Sequence, residues 1–174
     1  LEAPSIEAFK RYEKASGSNI KLVTMAVEED GADALIEYLV SKDIVVSIGH
    51  TNSNYKDVEK AVKAGATCVT HTFNAQKPIH HREVGTAGSA LLFDELYCEA
   101  ICDGIHLSPP AIKLLWKNKP ADKMVLVTDS LRAKFMPDGE YIEAGNQKVI
   151  VKNGAGRLED GTLAGSTAKM NEAV

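Results

Sequence analysis

Histidine stands twice in this sequence where a β-branched apolar run gives way to polar residues: His50 in Ser47-Ile-Gly-His-Thr-Asn52, and His71 in Val69-Thr-His-Thr-Phe-Asn-Ala75. A third junction of the same kind ends in a carboxylate, Asp129, after Met124-Val-Leu-Val-Thr128. Side chains at the ends of successive parallel strands converge on one mouth of a barrel. Imidazole, imidazole and carboxylate gathered there are the makings of a metal-dependent hydrolase. A lone histidine beside an apolar strand is more often a hydrogen-bonded core residue than a ligand, but two at equivalent strand ends reverse that balance. A catalytic ion takes about three protein ligands plus water, so a third ligand is missing from the visible pattern. Asp129 has two readings: a helix N-cap, or a group that takes a proton from an activated water and returns it to a leaving amine.

Further polar groups follow apolar runs. The stretch Asn74-Ala-Gln-Lys-Pro-Ile-His-His-Arg-Glu-Val-Gly85 brings together an amide, two histidines and a guanidinium. Arg82 suits bidentate phosphate binding and Asn74 could donate to phosphate oxygens, against the plainer reading of a solvated loop. In Asp103-Gly-Ile-His106 the histidine could polarise a substrate carbonyl. Gly161-Thr-Leu-Ala-Gly-Ser166 looks like a loop built for close approach, and Gly49 likewise lets a substrate or ion come near the backbone.

The elements that must position these groups recur regularly. A helix is expected over Ser5–Ala15, then a strand over Ile20–Ala26 and an amphipathic helix burying Ala34, Leu35, Leu39 and Val40. A strand at Ile44–Ile48 precedes a helix capped by Asn52 or Ser53 and stopped by Gly65. Strand Thr67–Thr70 leads into a long loop reaching Gly88. Strand Leu96–Cys102, a helix after Pro109-Pro110 and strand Met124–Thr128 complete the series. This is the βαβ rhythm of a parallel sheet, with strands apolar on both faces. Five units are present where a closed barrel needs eight. The expected fold is therefore α/β: residues 1–174 as a single partial (β/α)₈ barrel domain. Beyond Asp129, Asn153-Gly154 and Asp160-Gly161 predict appended β-hairpins, and Ser166–Val174 reads as helical.

Composition narrows the class. The 174 residues are 44% hydrophobic and 25% charged, with a formal net charge of −4 and no long basic run, which argues against nucleic acid. No apolar stretch approaches the ~18 residues of a membrane span, and no signal peptide opens the chain. Cys68, Cys98 and Cys102 form no disulfide framework or Cys-x-x-Cys pair. Cys98 and Cys102, four apart on one strand face, read as small core residues of a reduced, cytoplasmic protein. A start at Leu1 without methionine and an end at Val174 read as a piece of a longer chain.

Taken together, Lys21-Leu-Val-Thr-Met-Ala, Gly49-His-Thr-Asn, Thr70-His-Thr-Phe-Asn-Ala, His81-Arg-Glu, Asp103-Gly-Ile-His, Val127-Thr-Asp and Leu163-Ala-Gly-Ser closely resemble the N-acetylglucosamine-6-phosphate deacetylases of the amidohydrolase superfamily, in order and spacing. The resemblance implies a metal-bearing (β/α)₈ barrel with a small β-sandwich. In it His50 and His71 match metal ligands, Asp129 the catalytic aspartate, and His106 the histidine orienting the acetamido carbonyl. Asn74, Ala75 and Arg82 match sugar-phosphate contacts, as do Asp103, Gly104, Ile105, Leu163, Ala164 and Gly165. It further implies a divalent cofactor (zinc, with iron, manganese or cobalt as alternatives), an amino-sugar phosphate as partner, neither nucleic acid nor membrane, and a cytoplasmic homodimer. The family's glutamate ligand, in an upstream Glu-Gly-Pro, is absent here, so the stretch by itself is expected to be inactive. Gln76 replaces a usual methionine and Val84 a usual proline, which predicts a less rigid phosphate loop, and Val27 replaces a common proline before Glu28. The alternatives are a related amidohydrolase acting on another amide or cyclic substrate, and a non-catalytic sugar-phosphate-binding fragment.

Overall fold

The computed structural model describes residues 2–173. The chain divides into two compact units, residues 1–99 with 118–124 and residues 100–117 with 125–174.

The first unit is a run of parallel βα repeats. Helix α1 (Ile6–Ala15) starts where Ser5 accepts a hydrogen bond from the Ala8 amide at 3.1 Å. Strand β1 (Leu22–Met25), helix α2 (Ala32–Val40), strand β2 (Val45–Ile48), helix α3 (Tyr55–Lys63), strand β3 (Cys68–Val69), helix α4 (Gly85–Leu92) and strand β4 (Tyr97–Ala100) follow. The strands are shorter than the apolar runs suggest, and α2 buries Ala32, Leu35, Ile36 and Leu39 while Ala34 and Val40 stay exposed. Helix α3 is capped by Asn54, not by Asn52 or Ser53: Asn54 and Asp57 form a reciprocal capping box. The Ser53 hydroxyl is already engaged by the Glu28 carboxylate, and Asn52 lies two residues ahead of the cap position. Helix α4 replaces the second part of the expected loop. Its glycines conceal it, yet Gly85 through Ala90 are all buried, and a Cβ at Gly85 would lie 2.5 Å from the Lys77 carbonyl oxygen.

Parallel pairing sets Met25 beside Ile48, Ile48 beside Val69 and Val69 beside Cys98. With strand β5 (Met124–Leu126), the order is β1-β2-β3-β4-β5. Val46 and Ile48 are fully buried on one face, but the other face is not apolar. There Thr70 Oγ1 lies 2.9 Å from Thr24 Oγ1 and 2.6 Å from Ser47 Oγ, a hydroxyl chain across three strands. Strand β4 ends at Ala100, so Cys102 lies beyond it and does not share a strand face with Cys98. Burial pushes all three thiols up from their ordinary range.

The second unit carries most of helix α5 (Pro109–Asn118) and an antiparallel sheet, β6 (Gly139–Glu143), β7 (Gln147–Lys152), β8 (Ala155–Arg157) and β9 (Leu163–Ser166), in that order. Asn153 and Gly154 form the predicted two-residue hairpin turn with φ of 52° and 77°. Val149, Val151 and Ala133 make its core, packed by Leu131, Tyr141, Leu158 and Ala164. The helix expected over Ser166–Val174 is absent: Ser166 exchanges backbone hydrogen bonds with Asp129 and Leu131, and only a 3₁₀ turn at Met170–Glu172 follows. Val174 lies outside the described residues. Among those described, no helix is long and apolar enough to cross a membrane.

Replacing Asn54 with alanine removes the α3 cap and should cost about 1 kcal/mol. Denaturant unfolding of the intact protein checks this, with Asn54→Ser expected to recover most of the loss.

Candidate active site

His50 and His71 meet. Their Nε2 atoms are 2.9 Å apart and their rings stand edge to face, with centroids separated by 4.6 Å at an interplanar angle of 82°. His71 is buried and its Nδ1 lies 3.1 Å from the Asn74 carbonyl oxygen. Donation from Nδ1–H to that oxygen leaves the Nε2 lone pair available to a ligand. Two nitrogens on one tetrahedral zinc, each at ~2.0–2.1 Å, stand about 3.3 Å apart, so the pair would take two corners of such an ion once it opened by about 0.4 Å from its present hydrogen bond. Among the described residues no group of three or more His, Cys, Asp or Glu is placed to complete a first shell.

Both histidines adopt left-handed backbone, φ of +50° at His50 and +34° at His71, as do Phe73 at +77° and Ala75 at +47°. Non-glycine residues rarely hold that conformation without support from their surroundings. Gly49 has a different purpose from the one its position suggests. A Cβ there would sit 2.7 Å from Thr70 Cβ and 2.9 Å from Thr24 Cγ2, so what approaches the backbone is the pair of flanking threonines. His50 lies on the rim of a cavity of about 610 Å³ walled by α1, β1 and Leu35 of α2.

Each histidine turn is gripped by a glutamate that sequence reading did not single out. Glu28 Oε1 accepts from the Asn52 amide at 2.5 Å, and Oε2 accepts from Ser53 Oγ at 2.7 Å and from Thr51 Oγ1. Burial works to raise the Glu28 carboxyl, but these hydrogen bonds together hold it below the usual range. Glu99 Oε2 accepts from the His71 amide at 3.3 Å, and the Glu99 carbonyl accepts from the Thr72 amide at 2.8 Å. A carboxylate just beyond the end of β1 is the signal that could have found Glu28. Glu99 lies mid-strand, where only register reveals it.

The loop after His71 is braced, contrary to the expectation of reduced rigidity. Gln76 accepts from the Phe73 amide at 3.0 Å and donates to the Thr70 carbonyl at 2.9 Å, contacts that a methionine could not make. The Asn74 amide nitrogen is engaged within the loop, 3.2 Å from the His71 carbonyl, while the Ala75 carbonyl accepts from the Thr51 amide at 3.1 Å. Arg82 is exposed, its Nη1 2.7 Å from His81 Nε2. Glu83 Oε1 accepts from both the Tyr55 and Gly85 amides at 2.9 Å, joining the starts of α3 and α4.

In the second unit, His106 Nδ1 is 2.7 Å from Asp103 Oδ2 and Nε2 is 2.9 Å from the Ala164 carbonyl oxygen. The side chains of both Asp103 and His106 are almost wholly buried. Both ring nitrogens thus face protein oxygens. Gly104 (φ +76°) has open space around it, and Ile105 is partly exposed. Asp129 is exposed with φ +47°, and no helix follows it, which removes the N-cap reading. Its carbonyl accepts from the Ser166 amide at 2.8 Å, and a Cβ at Gly165 would come within 2.7 Å of that oxygen. Leu163, Ala164 and Gly165 therefore belong to strand β9 and not to a loop. The close approach is made to the backbone of Asp129.

Parallel βα repeats with polar groups gathered just past the strand ends define an α/β protein of the class whose sites lie at the carboxyl ends of its strands. No family model matches the chain. It is 47% identical over 172 residues to N-acetylglucosamine-6-phosphate deacetylase of Bacillus subtilis, covering 99% of this chain and 43% of that protein. The N-acetylglucosamine-6-phosphate deacetylase of Thermotoga maritima superposes with a TM-score of 0.90 at 42% identity, over 98% of this chain and 45% of that one. A variant of the Mycobacterium smegmatis enzyme in complex with N-acetyl-D-glucosamine 6-phosphate gives 0.95 at 34% identity, over 99% and 45%. The chain is thus homologous over nearly its whole length to N-acetylglucosamine-6-phosphate deacetylases, and it spans less than half the length of the curated relatives it matches.

The two amides on Glu83 hold its carboxyl below the ordinary value of 4.5, so they stabilise the folded protein above that pH and the contribution fades as pH falls through the lowered value. Urea midpoints should therefore place Glu83→Gln below the parent at about pH 6, with the gap closing toward about pH 3. A gap independent of pH would mean that the charge is immaterial.

Proposed function

We propose that this stretch is part of a (β/α)₈ barrel that hydrolyses the acetamide of N-acetylglucosamine 6-phosphate, giving acetate and glucosamine 6-phosphate. The observation that carries the reading is the meeting of His50 and His71 Nε2 past the ends of adjacent parallel strands, in a chain related over nearly its whole length to such deacetylases. The two imidazoles would hold a divalent ion, zinc or in its place iron, manganese or cobalt, which when bound supplies Lewis acidity toward the amide and water. The relatives are more than twice as long as this chain, and the remaining donor belongs on this reading to the part of the family it does not span.

Asp129 is assigned the proton. Its exposed carboxylate on a backbone pinned by Ser166 suits a group that takes a proton from the attacking water at an Oδ atom and delivers it to the departing amine nitrogen. Arg82 is assigned the 6-phosphate through a charge-assisted contact, with the Asn74–Ala75 backbone shaping the same loop. His106, held at Nδ1 by Asp103, would exchange the Ala164 carbonyl beside Nε2 for the acetamido oxygen. Gly104, Ile105 and Leu163–Gly165 would line the sugar. Family resemblance extends the proposal to a cytoplasmic homodimer.

Acetate release by the intact protein, with the 6-phosphate sugar and with its unphosphorylated analogue, tests the reading. No release from either at full metal occupancy would sink it. Asp129→Asn should keep the metal while turnover falls ~10²–10⁴-fold, the usual contribution of a general acid–base group. Arg82→Ala should weaken the phosphorylated substrate about tenfold or more and leave the analogue nearly unchanged, since only the former loses a charge-assisted contact.

A further inference from the structure

Left-handed backbone at His50 and His71 aims their rings at each other, and each turn is secured by hydrogen bonds to one carboxylate. Glu28 gathers three consecutive residues after His50: the Thr51 hydroxyl, the Asn52 amide and the Ser53 hydroxyl. Thr51 and Ser53 are buried, and beyond the contact between their own hydroxyls it is Glu28 that accepts from both where water has little access. Glu99 holds the other turn at two points, its carboxylate on the His71 amide and its own carbonyl on the Thr72 amide. The two grips are joined. Thr51, fixed by Glu28, donates its amide to Ala75, and the neighbouring Asn74 carbonyl holds His71 Nδ1.

We propose that Glu28 and Glu99 are positioning residues for the histidine pair: each fixes one strained turn, and together they pre-set the Nε2–Nε2 approach. Outer groups that orient metal-binding imidazoles commonly change affinity by ~10–100-fold when removed. The proposal rests on the metal-site reading. Its chemistry separates the two glutamates. Glu99 holds the turn through Oε2 alone, on the His71 amide, while its Oε1 meets only the Cys68 thiol; a glutamine carbonyl reproduces the first contact, and its amide nitrogen can face the sulfur, a weak acceptor. Glu28 uses both oxygens, and glutamine keeps only one acceptor.

The test is zinc and cobalt(II) affinity of the metal-stripped intact protein, by competition with a chromophoric chelator, with folding of the metal-free form followed by circular dichroism. The parent should bind, and His50→Ala and His71→Ala should abolish binding. A parent that binds neither metal overturns the site reading itself. Glu28→Ala and Glu99→Ala should each bind about 10–100-fold more weakly while circular dichroism shows the metal-free form still folded. Glu99→Gln should return to within about threefold of the parent, and Glu28→Gln should remain about tenfold weaker. Parent-like affinity in both alanine variants, with both histidine controls inactive, overturns the positioning role. If an alanine variant does not fold, the glutamine pair decides: equal affinity in Glu28→Gln and Glu99→Gln overturns the proposal.

Discussion

Two imidazoles from neighbouring parallel strands can share one point only if the chain leaves each strand by a sharp turn. Fully extended exits would carry them apart along the strand direction. The left-handed backbone at His50 and His71 supplies that turn, and with non-glycine residues it carries a strain of order 1–3 kcal/mol each. The local structure around the pair follows from having to support those two conformations. Glu28 and Glu99 satisfy the turn amides, Gln76 ties the loop to the end of β3, and the Asn74 carbonyl sets the His71 tautomer. The strain is concentrated where geometry has to be definite.

The same constraint explains the composition of the sheet. A strand with both faces covered by helices or by a closed core would be apolar throughout. Here Val46 and Ile48 supply the apolar face, while Thr24, Ser47 and Thr70 join in a hydroxyl chain on the other. Gly49 is small because the two threonines close over it. This polar face keeps the strand ends compatible with the carboxylates that hold the histidine turns.

The second unit solves a related problem with an antiparallel meander. Asp129 is held in left-handed backbone by pairing with Ser166, which requires Gly165 to be without a side chain. Gly156 is needed for a similar reason, since a Cβ there would meet Leu131 Cδ1 at 2.4 Å. Asp103 and His106 are bound to each other and to the Ala164 carbonyl, so β9 organises both polar groups of this unit.

From the sequence alone, period and spacing determined the parallel α/β class, the strand-end histidines and the hairpin at Asn153-Gly154, because these depend on local pattern. Motif order likewise pointed to the deacetylases to which the chain is homologous. Tertiary structure alone decided what depends on partners distant in the chain. Asn54 caps α3 in a box with Asp57 while Glu28 holds the Ser53 hydroxyl, and α4 forms despite its glycines because packing demands them. The segment after Ser166 is not a helix because that residue pairs with the end of β5's exit loop. Glu28 and Glu99 lie 24 and 28 residues from the amides they hold, Asn52 and His71, and no local propensity encodes such a contact. The chemistry was written in residue types, but its aim came from long-range hydrogen bonds that exist only once the strands are side by side.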